Sequence, residues 1–310
     1  MPTFRFAAQA LAGLRGWWRP ALTLAATTAA LMLGYVPLML VAQASRAVRE
    51  RGLDPSNFTP TVAEVSPWAF LLLILCPFAL GLATLGWCVE RVERRSWRTL
   101  VVGRLGRIRY RRLLAAGVMW LAIAAASDLF LSARGVIDVR YVGDWSALIP
   151  VLLAATLLVP VQAAFEELGI RGYLLQHVAL TTSRPLWGIL VSSVVFGALH
   201  FANPEVGHYG LGPMAVYYIG VGLFLAGISV LDDGLELAVG IHAATNLYAV
   251  VAVGYEGSAL PMPAAFATEP PEITVTLLTF VIRASLICWV FAKAGRWRLR
   301  NLTRPVTDLT

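Results

Sequence analysis

Eight apolar runs constrain this sequence more than any other feature. Each spans about 15 to 23 residues with few charges, and a helix needs about 20 such residues to cross the hydrocarbon core of a bilayer. The chain is 58% hydrophobic and 14% charged, whereas soluble domains are about 25% charged. We therefore predict an all-α fold, a polytopic transmembrane helical bundle of about eight spans. The predicted spans are 21–43, 67–89, 113–133, 147–166, 187–201, 215–231, 235–253 and 274–294.

The basic residues are unevenly distributed between the predicted loops. Nineteen of the 25 Lys and Arg residues fall on one side of the bundle and five on the other, while Arg283 lies within the last span. Arg283 therefore needs a carboxylate partner or a cavity. Since loops rich in Lys and Arg stay on the cytoplasmic side, we expect a multi-pass protein of the cell (inner) membrane with both termini cytoplasmic. The net charge of +7 then favours contact with the anionic lipid bilayer over nucleic-acid binding.

Two adjacent carboxylates end the fourth apolar run, in the motif Glu166-Glu167-x-x-x-Arg171. An ionisable side chain near the bilayer centre costs about 2.5–3.5 kcal/mol on insertion scales and is a functional-site hypothesis by default. Glu167 and Arg171 share a helical face and can form an ion pair, whereas Glu166 lies about 140° around the helix from Arg171. Glu166 is therefore predicted to stay free for chemistry. The alternative is a solvated helix end, where pairs of Glu are common.

Two further motifs fall on the fifth and seventh predicted spans, which are short or interrupted by polar residues. They are Phe196-x-x-x-His200 and His242-x-x-x-Asn246. A carboxylate, two imidazoles and an amide suffice to activate a water and to stabilise the oxyanion of a tetrahedral intermediate. Simpler explanations remain open: an interior hydrogen-bonded His200, an interhelical contact through His242 and Asn246, and packing for Phe196.

In this order, EExxxR, FxxxH and HxxxN resemble the motifs of the CPBP intramembrane proteases. That family includes the type II CAAX prenyl proteases and the related Abi-like bacteriocin-processing or immunity proteins, and the resemblance covers about 145–255. It implies an endopeptidase that hydrolyses a peptide bond in a membrane-associated substrate, either a CaaX-like prenylated tail or a peptide precursor. The resemblance implies that Glu166 and His200 activate water and that His242 and Asn246 stabilise the oxyanion, with Glu167, Arg171 and Phe196 in supporting roles.

The resemblance leaves the role of a metal open. In one alternative Glu166, His200 and His242 bind Zn²⁺, with Asn246 as a further candidate ligand, because carboxylate and imidazole ligands suit zinc. In the other, Glu166 activates the water directly, and no HExxH motif is present. The alternative functions are a non-enzymatic membrane scaffold or immunity protein, and a proton-coupled transporter. Against transport, the sequence shows no inverted repeat.

The spans and motifs divide the chain into four predicted segments. These are an interfacial N-terminal segment (1–20), N-terminal transmembrane helices (21–144), a catalytic core of the CPBP type (145–255), and an external loop followed by the last span and a basic cytoplasmic tail (256–310). Trp17 and Trp18 are expected at the level of the lipid headgroups. His177 and His208 are expected in loops, exposed to solvent. The sequence does not specify an oligomeric state.

Overall fold

The computed structural model describes residues 4–14, 16–44, 66–255, 257–295 and 297–306. These residues form a bundle of helices. The α-helices are α1 (Trp18–Gly34), α2 (Val36–Ala44), α3 (Pro67–Arg91), α4 (Tyr110–Ala133), α5 (Trp145–Glu167), α6 (Gln176–Thr182), α7 (Pro185–Leu199), α8 (Pro204–Tyr209), α9 (Leu211–Leu231), α10 (Glu236–Leu247) and α11 (Ile273–Gly295). Two π-helical segments, Leu168–Leu175 and Tyr248–Ala252, follow α5 and α10, and short 3-10 helices span Phe6–Ala12, Trp97–Leu100 and Leu299–Leu302.

The long apolar helices agree with the predicted spans. Among the described residues, 6 helices are long and apolar enough to cross a membrane, and two shorter apolar helices, Pro185–Leu199 and Glu236–Ala252, correspond to the fifth and seventh predicted spans. An all-α, multi-pass bundle of about eight spans is therefore confirmed. The loop predicted between the first two spans lies almost entirely outside the described residues.

The fourth span is longer than its apolar run. Together α5, the π-helical segment and α6 form a continuous helix, Trp145–Thr182, of 38 residues. The helix can continue beyond the carboxylates because the side chains of Glu167 and Arg171 are 0% exposed and pair with each other, so neither charge faces lipid. A π-helical turn within a long helix frequently occurs at a functional site.

The N-terminal segment, predicted to be interfacial, forms the 3-10 helix Phe6–Ala12, whose first five residues are buried. Phe6 is 0% exposed, and its backbone N–H donates to Oδ1 of Asp233 at 2.7 Å. Phe6, Ala7 and Ala8 thus pack into the core of the bundle, and the interfacial position of 1–20 stays a prediction. Trp17 remains 86% exposed, as a side chain at the headgroup level would be.

Ion pairs tie together the end of the bundle that we call the arginine-rich end, which comprises 91–112, 232–236 and 297–304. Arg109 Nη2 lies 2.6 Å from Glu236 Oε2, and Arg112 Nε donates to Asp232 Oδ2 at 2.8 Å. Trp297 Nε1 donates to the other oxygen of Asp232 at 2.9 Å. These contacts hold the ends of α4, α9, α10 and α11 together on one side of the bundle.

A second cluster at the arginine-rich end surrounds Glu93, which is 2% exposed. Arg95 Nε donates to Glu93 at 2.9 Å, Tyr173 donates through its hydroxyl, and His177 Nε2 lies 3.4 Å away. Burial alone would raise the pKa of Glu93, but the nearby imidazole of His177, the charge of Arg95 and the hydrogen bond from Tyr173 lower it to about 2. The prediction that His177 lies in an exposed loop was wrong, because His177 lies on α6 and is half-buried. His208 lies on the short helix α8 and is exposed, as predicted.

The opposite end of the bundle carries a small sheet. Strands β1 (Arg140–Tyr141), β2 (Val253–Gly254) and β3 (Phe266–Ala267) pair in the order β1-β3-β2, with β3 antiparallel to β1 and parallel to β2. The buried carboxylate of Glu205 accepts hydrogen bonds from the hydroxyl of Tyr255 at 3.2 Å and the backbone N–H of Ala259 at 2.9 Å. These contacts hold the segment that follows β2 against α8.

Candidate active site

Glu166 lies where α5 passes into the π-helical segment, and its side chain is 18% exposed. Oε1 accepts a hydrogen bond from Nε2 of Gln162, one turn earlier. Oε2 is buried and has no hydrogen-bond partner among the described residues. Leaving a buried polar atom unpaired costs free energy, and Oε2 of Glu167 and Nε and Nη2 of Arg171 are likewise buried and unpaired among the described residues.

The histidines of the other two motifs face the same oxygen. His242 Nε2 lies 3.6 Å from Glu166 Oε2, and His200 Nε2 lies 3.9 Å from it. Both distances are longer than a hydrogen bond. The fold thus brings one residue from each motif together, from α5, α10 and the end of α7.

The other ring nitrogen of each histidine is occupied. His200 Nδ1 lies 2.7 Å from the carbonyl oxygen of Phe196, and His242 Nδ1 lies 2.7 Å from Oε1 of Glu167. A carbonyl oxygen and a carboxylate can only accept, so each Nδ1 carries the proton and donates it. In the neutral imidazoles both Nε2 atoms therefore present lone pairs toward Glu166.

A buried ion pair and an aromatic ring support these side chains. Arg171 Nη1 donates to Glu167 Oε1 at 2.8 Å, so one carboxylate oxygen binds both Arg171 and His242. The guanidinium carbon of Arg171 lies 4.1 Å from the centre of the Phe196 ring, a cation–π contact. The same ring lies 4.3 Å from the His200 ring and 5.9 Å from the His242 ring, centre to centre. Phe196 is thus the common packing surface of the site.

Gln162 joins two of the motif residues and was not singled out in the sequence. It is 7% exposed; its amide nitrogen donates to Glu166, and its amide oxygen accepts from Nδ2 of Asn246 at 2.9 Å. Asn246 therefore reaches Glu166 through Gln162. The available sequence signal was a polar residue in an apolar run, four positions before Glu166 and so on the same helical face.

Two glycines allow the helices that carry the site to approach closely. A Cβ at Gly240, on α10, would lie 2.2 Å from the backbone oxygen of Leu113 on α4, and a Cβ at Gly81, on α3, would lie 2.6 Å from the ring of Phe165. Any larger residue would push α10 away from α4, or α3 away from α5. The positions of His242 and Glu166 thus depend on these two contacts.

The donor types of the site fit zinc, but the atoms do not form a closed ligand set. Two imidazole nitrogens and a carboxylate oxygen suit Zn²⁺, and a hydrogen bond from the second ring nitrogen is typical of histidine ligands. Bonds of about 2.0 Å to a tetrahedral ion place ligand atoms about 3.3 Å apart, whereas here they are 3.6 and 3.9 Å apart. No group of three or more His, Cys, Asp and Glu residues within the described ranges is arranged to hold a metal ion.

Comparisons with known proteins point to the same segment. Residues 145–248 match the family model for type II CAAX prenyl endopeptidase Rce1-like proteins. The uncharacterized protein YyaK of Bacillus subtilis (strain 168) is 38% identical over 103 residues, which are 33% of this chain and 34% of that protein. The match therefore spans about a third of the length of this relative, and no solved structure matches the chain. The segment 145–248, which contains all three motifs, is thus similar to the type II CAAX prenyl endopeptidases of the Rce1-like family.

Proposed function

We propose that this protein is an intramembrane endopeptidase in which Glu166 is the general base. The observation that carries the proposal is the buried, unpartnered Oε2 of Glu166, which faces the Nε2 atoms of His200 and His242 at 3.9 and 3.6 Å. A general base must lie within reach of the proton that it removes, directly or through one water. In the proposal, a water molecule binds beside these three atoms.

In the proposed first step, Glu166 Oε2 takes a proton from this water while the water oxygen attacks the carbonyl carbon of the scissile peptide bond. The lone pair of His200 Nε2 accepts the second hydrogen bond of the water and so orients it. The C–N bond of the tetrahedral intermediate then breaks, and the proton held by Glu166 passes to the leaving amine. Glu166 thus acts first as a base and then as an acid, as in general acid–base catalysis.

The developing oxyanion requires donors that are already in place. Asn246 uses one N–H for Gln162 at 2.9 Å and retains its second N–H. His242, when protonated, gains a donor at Nε2, and the Glu167 carboxylate at its Nδ1 stabilises the imidazolium. We therefore assign oxyanion stabilisation to Asn246 and His242, and assign Glu167, Arg171 and Phe196 to the support of His242 and His200.

Zinc remains a proposal that the same residues allow. Glu166, His200 and His242 would hold the ion after a small movement toward one another, and Zn²⁺ would supply a Lewis acid to the water and the scissile carbonyl. The proposed steps described above use only the side chains of the protein and a water molecule, without a metal ion. Chelation by EDTA distinguishes the two alternatives: loss of activity that added Zn²⁺ restores supports the metal, and unchanged activity supports direct activation by Glu166.

We propose a membrane-associated substrate, either a CaaX-like prenylated tail or a peptide precursor. His200 follows the last residue of α7, 15 residues from the helix start near the arginine-rich end, so it lies about 22 Å from that end. A substrate must therefore enter the bundle to reach it. We also propose that the arginine-rich end faces the cytoplasm, because most Lys and Arg residues of the chain flank that side.

The test is cleavage of prenylated and unprenylated membrane peptides by the full-length protein in nanodiscs. Wild type should cleave at least one peptide, and Glu166→Ala and His200→Ala should both abolish cleavage. The matched control is His208→Ala, which removes an exposed histidine and should leave activity unchanged. Cleavage that persists in Glu166→Ala would refute the proposed site. Wild-type inactivity toward every peptide would favour the non-enzymatic alternative.

A further inference from the structure

A groove of about 700 Å³ lies at the arginine-rich end, away from the active-site residues. Its walls come from the start of α1, the segment before it and the end of α3. Three arginines line it together with three large apolar side chains: Arg19, Arg91, Arg94, Leu14, Trp18 and Leu22. The groove shares no residue with the Glu166 site, so its role is independent of the proposed function.

The guanidinium groups of the groove are not neutralised by the described part of the chain. None of Arg19, Arg91 and Arg94 forms an ion pair there. Of the two acids nearby in sequence, Glu93 is already bound to Arg95 and Tyr173, and Glu90 is exposed and forms no ion pair within the described residues. The groove therefore carries an uncompensated positive charge, which favours an anionic ligand.

Two contacts fix the guanidinium group of Arg19, and one of its N–H donors is unpaired in the described structure. Its Nη1 donates to the backbone oxygen of Val92, and its guanidinium carbon lies 4.5 Å from the centre of the Trp18 ring. Its Nε is buried and has no hydrogen-bond partner among the described residues. An ordered guanidinium with an unsatisfied N–H is suited to bind a phosphate oxygen.

The apolar part of the groove continues along the membrane helices. Leu14, Trp18 and Leu22 are 52, 46 and 47% exposed. Trp18 and Leu22 lie in the first turns of α1, and Arg91 ends α3, so the guanidinium groups and the apolar side chains lie side by side where two membrane-spanning helices end. At this level a lipid places its phosphate next to the first carbons of its acyl chains.

We infer that the groove binds an anionic phospholipid. Arg19, Arg91 and Arg94 bind its phosphate, and Leu14, Trp18 and Leu22 contact its glycerol and acyl chains. A free phosphate would satisfy the guanidinium groups but would leave the apolar wall uncovered. A phospholipid matches both parts, and its affinity depends on both.

The test is native mass spectrometry of the full-length protein in detergent, titrated with phosphatidylglycerol or with phosphatidylcholine of the same chains. Wild type should bind phosphatidylglycerol at least about fivefold more tightly than phosphatidylcholine. Arg91→Gln/Arg94→Gln should weaken phosphatidylglycerol binding about tenfold or more, because each arginine near an anionic headgroup contributes about 1 kcal/mol. The matched control, Arg98→Gln/Arg111→Gln, removes the same charge from exposed arginines outside the groove and should change binding less than about twofold.

Four results would overturn this inference. Equal affinity for the two lipids would exclude recognition of charge, and equal losses in both double variants would reduce the effect to general electrostatic attraction. Displacement of the lipid by millimolar inorganic phosphate would make the groove a phosphate site. Leu22→Asn, at an exposed apolar position, should weaken lipid binding without altering the arginines, so a full-affinity Leu22→Asn protein would also count against it. Peptide cleavage by Arg91→Gln/Arg94→Gln in detergent should equal that of wild type, which separates this test from that of the active site.

Discussion

Two polar clusters lie within the membrane-spanning helices, and they differ in how their carboxylates are satisfied. In the first, Glu166 Oε2 has no partner in the described structure. In the second, Asp128 on α4 binds Arg283 of α11 through one oxygen and accepts from the hydroxyl of Tyr248 at 2.9 Å through the other. Arg283 also donates from Nε to Ser127 Oγ at 2.8 Å. The sequence predicted either a carboxylate partner or a cavity for Arg283. The structure provides both, because Arg283 pairs with Asp128 and also lines a small cavity.

Exposure does not distinguish these clusters, because the side chains of Glu166 and Asp128 are 18 and 19% exposed. The difference lies in the partners. A carboxylate whose oxygens are all bound holds helices together, here α4, α11 and the π-helical segment after α10. The Oε2 atom of Glu166 instead faces two imidazole nitrogens and has no hydrogen-bond partner among the described residues. The comparison therefore assigns a structural role to Asp128 and supports our proposal of a chemical role for Glu166.

The largest effect is expected for Glu166→Gln, which keeps the size of the side chain and removes the base. Cleavage should fall about 10²–10⁴-fold, the usual contribution of a general base, while the thermal unfolding temperature should stay the same or rise. Single-turnover cleavage and thermal unfolding of the same preparation measure the two quantities. A Glu166→Gln protein with normal turnover and reduced stability would reverse the roles that the comparison assigns.

Asp128→Asn should show the opposite pattern. It leaves Arg283 without its ion-pair partner, which we expect to cost about 1–3 kcal/mol of stability, less than for a fully buried pair because both side chains are partly exposed. Turnover should stay within about threefold of wild type, since Asp128 contacts none of the site residues. Thermal unfolding in nanodiscs measures the loss of stability, and peptide cleavage measures the turnover. Unchanged stability combined with lost turnover would place Asp128 in the chemistry.

Gln162→Leu should have an intermediate effect on turnover. The substitution retains the approximate volume but removes the hydrogen bonds to Glu166 and Asn246, so kcat should fall about tenfold with KM within about twofold. Steady-state kinetics separate the two parameters. Gln43→Leu, which changes an exposed amide on α2, is the matched control and should have wild-type kinetics. A rise in KM without loss of kcat would argue for substrate binding rather than positioning.

The smallest effect is expected for Glu93. Like Asp128, this carboxylate is bound by other side chains of the protein, here those of Arg95 and Tyr173. Its pKa is lowered from 4.5 to about 2, so its ionised form contributes stability above pH 4.5, and that contribution is lost as the pH falls toward 2. The difference in unfolding temperature between wild type and Glu93→Gln should therefore be larger at pH 7 than at pH 3. Glu90→Gln, at an exposed position, should show no such dependence. A difference that does not change with pH would mean that Glu93 acts through packing alone.

Contacts within one helix could be predicted from the sequence. The pairing of Glu167 with Arg171 and the contact of His200 with Phe196 both follow from spacing by four residues, because helical geometry is local. The site could not be completed in this way. The pairing of His242 with Glu167, and that of Gln162 with Asn246, join residues that are 75 and 84 positions apart, and no local rule specifies which faces of two helices meet.

The sequence by itself determined that the chain is a multi-pass helical bundle, since hydropathy and run length are properties of each segment alone. It also determined which residues form the three motifs. Only the tertiary structure decided that residues 6–10 are buried in the bundle, that Asp128 is the partner of Arg283, and that Glu166 has an unpartnered oxygen facing two histidines. The physical reason is that each depends on the packing of helices distant in sequence, which sets the neighbours that a polar atom finds in the folded protein.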